Sequence, residues 1–320
     1  MIDQFGRNID YLRISLTDRC NLRCSYCMPN GVCPVSHAEI LSYEEILCIC
    51  KEAIALGITH FKVTGGEPLV RKGILAFLQQ LKSLSGCETV TLTSNGTLLN
   101  PFLKELREIG IDGINISLDA ANAVVFARIT GSSLYEQVFS ALCNSVACGI
   151  KTKINCVLLA ENQDQILPLA SFAQQFPVDV RFIELMPIGE GATLSAPSPK
   201  SAREQLLSVW PDLHPVDERR GFGPARYEQS AALLGRIGWI DALSHSFCAS
   251  CNRIRLTSTG LLKPCLCYGE GRDLRRLLRS DNQESLREAM AEAIFAKPAA
   301  HCFQEQNAIT EHRKMAEIGG

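Results

Sequence analysis

The segment LRISLTDRC (residues 12–20) combines the two features from which the fold is inferred. Its first six residues alternate apolar and polar side chains, as a β-strand with one buried face does. A cysteine follows shortly after that strand, at position 20. Further strand-like segments alternate with helix-like stretches over roughly the first 190 residues, at 60–64, 89–94, 113–119, 151–159 and 180–186. This alternation predicts repeated β/α units around a parallel sheet.

The polar face of these strands indicates how the sheet is used. An ordinary parallel strand is buried on both faces and has a continuous apolar run. If the six strands close into a barrel, their polar faces line a lumen that holds water or a polar ligand. Arg13, Lys62 and Lys153 would share that lumen and favour an anion. The predicted fold class is α/β, a partial (βα)6 barrel; an open doubly wound sheet and a sheet half-exposed to solvent remain alternatives.

The strand–helix alternation weakens after about Pro197. We therefore predict a barrel domain over residues 1–195 and a C-terminal region over residues 196–320 that closes the barrel. Within the second region we expect a helix at 202–209, a loop over 210–230, a β-rich segment over 234–268, and helices at 272–279 and 284–296.

Composition and charge exclude several classes of protein. Hydrophobic residues make up 46% of the chain, enough for a large core. The formal net charge of −2 argues against a general nucleic-acid or membrane-surface binder. Residues 1–10 lack the apolar core of a signal peptide, and no apolar run approaches the length of a membrane span. We expect a cytoplasmic protein.

The 15 cysteines of a reduced protein are thiols, metal ligands or catalytic groups. Cys20, Cys24 and Cys27 have the spacing C-x3-C-x2-C just past the first strand, at the edge where β/α enzymes place their chemistry. Three thiolates can hold three irons of a cubane cluster and leave the fourth iron open. A structural zinc whose fourth ligand comes from Cys33, His37 or a more distant residue is the alternative.

A second group of cysteines lies near the C-terminus. Cys248 and Cys251 are followed by Cys265 and Cys267, which gives C-x2-C and then C-x-C. From spacing alone, these four residues fit a zinc site as well as an iron–sulphur cluster.

Several motifs carry a resemblance to known proteins. CNLRCSYC (residues 20–27) and GGEP (65–68), at the end of the second strand, resemble the motifs of the radical S-adenosylmethionine (SAM) superfamily. The C-terminal cysteines resemble those of its GTP cyclase family, which opens molybdenum cofactor synthesis. Other segments look like motifs of that family in the same order, namely residues 12–20, 93–96, 117–119, 182–187 and 319–320.

The resemblance implies two 4Fe–4S clusters and SAM as cofactors. It implies one cluster on Cys20, Cys24 and Cys27 and a second on Cys248, Cys251 and Cys265, with Cys267 as the other candidate for the third ligand. The implied SAM contacts are Tyr26, Gly66, Ser117 and Met186. The implied GTP contacts are Arg13, Lys62, Thr93, Lys153, Arg253, Ile254 and Arg255. The implied catalytic set is Arg13, Arg253, Arg255, Gly319 and Gly320.

The resemblance also implies the reaction. A 5′-deoxyadenosyl radical takes hydrogen from the ribose C3′ of GTP, and C3′ then attacks guanine C8 to give 3′,8-cyclo-7,8-dihydro-GTP. It further implies a homodimer, a reductant of flavodoxin or ferredoxin type, and transfer of the product to cyclic pyranopterin monophosphate synthase. The rival interpretations are a radical enzyme that modifies a peptide or RNA, and a non-catalytic carrier of zinc or an iron–sulphur cluster.

Overall fold

The computed structural model describes residues 1–33, 35–218, 220–280, 285–305 and 308–319. In this part of the chain the strands form one twelve-stranded sheet. Their bounds are β1 Tyr11–Ser15, β2 His60–Thr64, β3 Thr89–Ser94, β4 Gly113–Ser117, β5 Thr152–Val157, β6 Asp179–Ile183, β7 His214–Val216, β8 Arg226–Gln229, β9 Ile237–Ile240, β10 Arg253–Leu256, β11 Leu261–Lys263 and β12 Arg272–Asp273.

The α-helices alternate with the first six strands and then follow the C-terminal ones. Their bounds are α1 Tyr43–Ala55, α2 Ile74–Lys82, α3 Leu103–Ile109, α4 Ala123–Thr130, α5 Tyr135–Ala147, α6 Ile166–Ala170, α7 Phe172–Gln175, α8 Pro199–Leu207, α9 Leu274–Leu278 and α10 Leu286–Phe295. Among the described helices, none combines the length and apolar character needed to cross a membrane.

The sheet is an incomplete barrel. Strands β1 to β6 are parallel and lie in chain order, β10 pairs with β1, and β9 pairs with β6, both also in parallel. Antiparallel partners extend both ends, β11 and β12 beyond β10 and β8 and β7 beyond β9. Within the described residues β9 and β10 are not paired with each other. The barrel is therefore open between these two strands.

Side-chain alternation separates the core from the lumen. The outward residues of β1 and β2, such as Leu12, Ile14 and Phe61, are 0% exposed and belong to the main core beneath the helices. Helix α1 begins at a capping box in which Ser42 Oγ accepts from Glu45 N at 3.1 Å. Burying each large apolar side chain stabilises the fold by about 1.5–3 kcal/mol. The core thus lies outside the sheet, and the polar faces point inward.

The predicted α/β partial barrel is confirmed, and both alternatives are wrong. Strands β9 and β10 lie at opposite ends of the parallel segment, yet residues from both line one cavity together with residues from β1 to β6. An open doubly wound sheet, or a sheet half-exposed to solvent, would keep these two strands apart. The predicted loop over 210–230 is wrong in part, because it contains β7 and β8. These strands are short and stabilised by their pairing with β9, so local sequence alone does not reveal them. The proposed division at residues 195 and 196 stays a prediction.

Candidate active site

A cavity of about 280 Å³ runs through the barrel lumen. All six cysteines that the sequence predicts as cluster ligands line it: Cys20, Cys24, Cys27, Cys248, Cys251 and Cys265. The first three follow the carboxyl end of β1, whereas the last three lie near its amino end, since Arg253 pairs with Tyr11 at the start of that strand. The structure therefore brings the two groups of thiols to opposite ends of one lumen.

The first cysteine loop is held by backbone and side-chain hydrogen bonds. Arg23 N donates to Thr130 O at 2.8 Å, which ties the loop to the end of α4. Asn95 Nδ2 donates to Cys20 Sγ at 3.7 Å. Burial raises the pKa of Cys20, Cys24 and Cys27, and neighbouring thiolates raise it further for Cys24 and Cys27, to about 12 for Cys27. A bound cation such as iron would offset this effect and stabilise the three thiolates together.

The GGEP turn is clamped between the loops that follow β1 and β3. Gly66 N donates to Thr17 O at 2.6 Å, and a Cβ on Gly66 would lie 2.3 Å from Arg19 O. The Glu67 carboxylate is buried and accepts from Asn95 N at 2.7 Å and from Ser94 Oγ at 3.0 Å. Burial raises the pKa of Glu67 to about 7. Glycine is required at position 66 because the backbones meet there too closely for a side chain.

The residues predicted to contact SAM share the end of the cavity that carries the first cysteine loop. Tyr26, Gly66, Ser117 and Met186 all line the cavity. Tyr26 donates its hydroxyl to Asp119 Oδ2 at 2.9 Å. The other oxygen of Asp119 accepts from Val157 N at 2.8 Å, and burial raises the pKa of this carboxyl to about 6.

The second cysteine group is anchored by the N-terminal segment. Arg7 is buried and donates through Nη1 to Cys248 O at 3.0 Å and to Ala299 O at 2.9 Å. It thereby ties the β9–β10 loop to the chain that follows α10. Burial raises the pKa of Cys251, but the charges of Arg253 and Lys297 outweigh it and bring this pKa down to about 7. Cys251 is therefore partly a thiolate near neutral pH, the form that binds metals.

Cys265 and Cys267 have different environments. Cys265 lines the cavity with Cys248 and Cys251. Cys267 is 0% exposed, belongs to a separate small core, and has its sulphur 2.8 Å from that of Cys302. Only Cys265 of this pair faces the lumen.

Cations fill the wall between the two groups of thiols. Arg13, Arg253 and Arg255 line the cavity, and Thr93 lies among them. Burial, reinforced by neighbouring cations, lowers the pKa of Arg13 to about 10 and that of Arg255 to about 9. Arg13 Nε is buried and has no hydrogen-bond partner among the described residues. This wall thus presents a positively charged donor, Arg13 Nε, that has no acceptor among the described residues.

Ile254 does not belong to this wall. Its side chain is 1% exposed and packs into the outer core, because neighbouring residues of a strand point to opposite faces. The structure therefore does not place the Ile254 side chain in the cavity, unlike the two arginines beside it.

Lys62 and Lys153 line a different cavity, of about 670 Å³, at the amino-terminal end of the lumen. We call it the lower cavity, and we call the cavity that the six cysteines line the upper cavity. Lys153 Nζ lies 3.2 Å from Asp179 Oδ2 and donates to Tyr227 OH at 3.0 Å. Burial and the charges of Arg181 and Arg13 lower the pKa of Lys62 well below its ordinary value. Both lysines face the lumen that Arg13 faces, and Lys62 pairs in register with Arg13 and lies within its electrostatic reach, but the two lysines line the lower cavity, at a different depth. Their contact with GTP stays a prediction.

Arg181 is a lumen residue that sequence reasoning missed. It is 9% exposed, lines the lower cavity, and its Nε has no hydrogen-bond partner among the described residues. The signal was present, since Arg181 stands between the buried apolar residues Val180 and Phe182 of β6. A charged residue in such a position points into the lumen.

The C-terminal tail reaches the lumen. Lys314 Nζ donates to Gly31 O at 2.7 Å, and Gly319 O accepts from Arg255 Nη1 at 3.3 Å. Gly319 has φ +73°, and a Cβ there would lie 2.9 Å from Ser15 Cβ. The conformation and the close approach both require glycine. Gly320, the other predicted tail residue, lies outside the described residues.

Two family models together match most of the chain. A family model described as the radical SAM superfamily matches residues 14–173. A model described as Molybdenum Cofactor Synthesis C matches residues 178–303.

Solved structures share the fold. Streptococcus suis SuiB bound to S-adenosylmethionine superposes with a TM-score of 0.65 and 14% identity, covering 97% of this chain and 77% of that one. A structure of native anSMEcpe with bound AdoMet (S-adenosylmethionine) gives a TM-score of 0.61 and 18% identity over 92% of this chain and 82% of that one. At such low identity the likeness shows the fold alone.

Curated relatives are much more similar in sequence. A protein from Heliobacterium modesticaldum named GTP 3′,8-cyclase is 41% identical over 333 residues, covering 100% of both chains. One of the same name from Geobacter sulfurreducens is 40% identical over 328 residues, covering 100% of this chain and 99% of the relative. The chain therefore belongs to the GTP 3′,8-cyclase family of the radical SAM superfamily.

Proposed function

We propose that this protein is a radical SAM lyase that converts GTP to (8S)-3′,8-cyclo-7,8-dihydroguanosine 5′-triphosphate, the first step of molybdenum cofactor synthesis. The observation that carries the proposal is the single cavity lined by two groups of three thiols, with arginines between them. Full-length similarity to proteins named GTP 3′,8-cyclase supports the same conclusion.

The carboxyl-terminal end of the barrel fits the first cluster and SAM. Cys20, Cys24 and Cys27 would hold three irons and leave the fourth for the methionine amine and carboxylate of SAM. When bound, this pair supplies one-electron cleavage of the sulphonium and thus the deoxyadenosyl radical that takes hydrogen from C3′ of GTP. The backbone at Gly66 and the Tyr26–Asp119 pair would orient SAM, and the surrounding wall would exclude water.

The second group of thiols fits another open cluster better than a zinc ion. Within the described ranges, no three His, Cys, Asp or Glu side chains converge closely enough to ligate one metal ion. A structural zinc needs four ligands on one ion, whereas a cubane spreads three thiolates over three irons. Cys248, Cys251 and Cys265 would be its ligands, and the cluster would hold the purine of GTP.

The cations of the lumen fit the triphosphate. Arg13, Arg253 and Arg255 present forked donors, which match phosphate oxygens in pairs. An anion bound there would raise the lowered pKa values of Arg13 and Arg255 back toward their ordinary range. We propose that Lys62, Lys153 and Arg181 bind the third phosphate from the lower cavity. Thr93 would contact the nucleoside.

The tail is proposed to set the position of a catalytic arginine. Because Gly319 O accepts from Arg255, the tail holds this guanidinium against β1 and β2. The remaining parts of the assignment rest on the family resemblance. They are a cytoplasmic homodimer, a reductant of flavodoxin or ferredoxin type, and cyclic pyranopterin monophosphate synthase as the enzyme that takes the product.

The proposal predicts the fate of one hydrogen atom. Anaerobically reconstituted protein with dithionite, SAM and GTP deuterated at C3′ should release 5′-deoxyadenosine that carries deuterium, together with cyclised nucleotide detected by mass spectrometry. Cys27→Ala should abolish both products, while Cys143→Ala, in the outer helix α5, should retain them. SAM cleavage that GTP does not stimulate would favour the rival enzymes acting on peptides or RNA.

Gly66→Ala should weaken SAM binding by roughly 10- to 100-fold, because the new methyl group forces apart backbones that now touch, a strain of about 1–3 kcal/mol. Isothermal titration of the reconstituted protein with SAM measures the effect. Gly110→Ala is the control for adding a methyl group to a glycine, since nothing lies within 4 Å of a Cβ at Gly110, although its φ is positive and that of Gly66 is not. An unchanged SAM affinity in Gly66→Ala would contradict the assigned role of this turn.

The ligand set of the second cluster is tested by two neighbouring cysteines. Wild-type protein should contain about eight irons per chain. Cys265→Ala should retain about four, because a cluster that is held by three thiolates is lost when one of them is removed. Cys267→Ala should retain about eight, because its sulphur packs against Cys302. Iron and sulphide analysis decides the matter, and the reverse pattern would make Cys267 the ligand.

A further inference from the structure

The lower cavity is lined by charged side chains of both signs. Its charged lining residues are Lys62, Asp112, Lys151, Lys153, Asp179, Arg181, Glu218 and Arg220. Asp112 is already paired with Lys82 at 2.5 Å. The cations of this wall therefore exceed the carboxylates that remain free to balance them.

One buried donor points to a missing anion. Arg181 is 91% buried, because only 9% of it is exposed, and its Nε has no hydrogen-bond partner among the described residues. A buried guanidinium nitrogen without an acceptor costs about 1–3 kcal/mol. A phosphate oxygen in the cavity would offset that cost.

The lower cavity lies within reach of a nucleotide held in the upper one. On β5, Asn155 lines the upper cavity and Lys153 lines the lower cavity. Two residues of a strand span about 6.6 Å, so the two layers are separated by little more than the length of a short phosphate chain. A nucleoside between the clusters would direct its last phosphate toward this layer.

The described part of the loop between β7 and β8 lines this end of the barrel and includes Arg220. Arg220 Nε donates to Asp179 Oδ2 at 3.0 Å, and its Nη1 donates to Glu218 Oε1 at 2.9 Å. Its backbone carbonyl accepts from Lys153 Nζ. Phe222 stacks on His60 with ring centroids 3.4 Å apart. The loop is thus docked on the lumen wall and holds the guanidinium beside Lys153.

We propose that Arg220 is a specificity-determining residue that recognises the third phosphate and makes the enzyme prefer GTP to GDP. This inference rests on the proposed function. Asp179 and Glu218 fix two edges of the guanidinium, so little freedom is lost when a phosphate binds it. Lys153 and Arg181 complete the anion site, while the second phosphate and the nucleoside are bound by the upper wall.

The chain offers a matched control for Arg220. Arg236 also pairs with Glu218, at 3.4 Å between Nε and Oε2, but lines neither cavity of the lumen. Arg236→Gln therefore removes a charge from the same ion-pair chain without removing a donor to the phosphate.

The test compares initial rates of 5′-deoxyadenosine formation with GTP and with GDP, using the reconstituted protein, SAM and dithionite. In Arg220→Gln, kcat/KM for GTP should fall about 10- to 100-fold, the range for a hydrogen bond to a charged group. The loss should appear mainly in KM, and kcat/KM for GDP should change less than about threefold. Arg220→Lys should recover part of the GTP preference, and Arg236→Gln should keep wild-type values for both nucleotides.

Three results would overturn the inference. They are an equal fall for GTP and GDP in Arg220→Gln, no fall for either, and a wild-type enzyme that uses both nucleotides equally well. An equal fall would indicate a purely structural role for the loop. A wild-type protein that cleaves SAM with neither nucleotide would instead reject the proposed function, so the two failures are distinguishable.

Discussion

The lumen of this barrel holds cations that the protein itself does not neutralise. Arg181 is buried there and Arg13 and Arg255 are partly buried, and neighbouring cations add to the desolvation that lowers the pKa values of Arg13 and Arg255. Arg13 and Arg181 each keep a donor without a partner among the described residues. Such an arrangement is unfavourable in an empty protein and favourable around a polyanion. The outer core, built from the opposite faces of the same strands, stabilises the barrel despite this local cost.

The remaining parts of the site are arranged around that cationic layer. One group of thiols lies at each end of the lumen, so a ligand bound by the cations meets both. Segments distant in sequence hold the two ends in place. Arg7 ties the second group to the chain after α10, and the tail joins the first cysteine loop to Arg255. The N-terminal segment therefore helps to position the second group of cysteines, and the C-terminal tail helps to position Arg255 and the first cysteine loop.

The sequence was most informative where side-chain alternation and spacing act locally. The one-sided strands predicted a polar lumen, and residues 20–27 and 65–68 predicted the neighbouring loops. It was least informative where partners are distant. Strands β7 and β8 are too short to show a pattern without β9, and Cys267 differs from Cys265 only through its contact with Cys302. Lys62 and Lys153 face inward as predicted, but the depth of a residue along the lumen depends on the register between strands.

The most direct test of this account is the affinity of the cluster-loaded protein for GTP and for guanosine, measured by isothermal titration at several salt concentrations. Because the buried cations require a polyanion, GTP should bind at least about 100-fold more tightly than guanosine, the equivalent of about 2.7 kcal/mol, and added salt should weaken only GTP binding. Equal affinities, or a GTP affinity that does not change with salt, would contradict the claim that the lumen is built for the triphosphate.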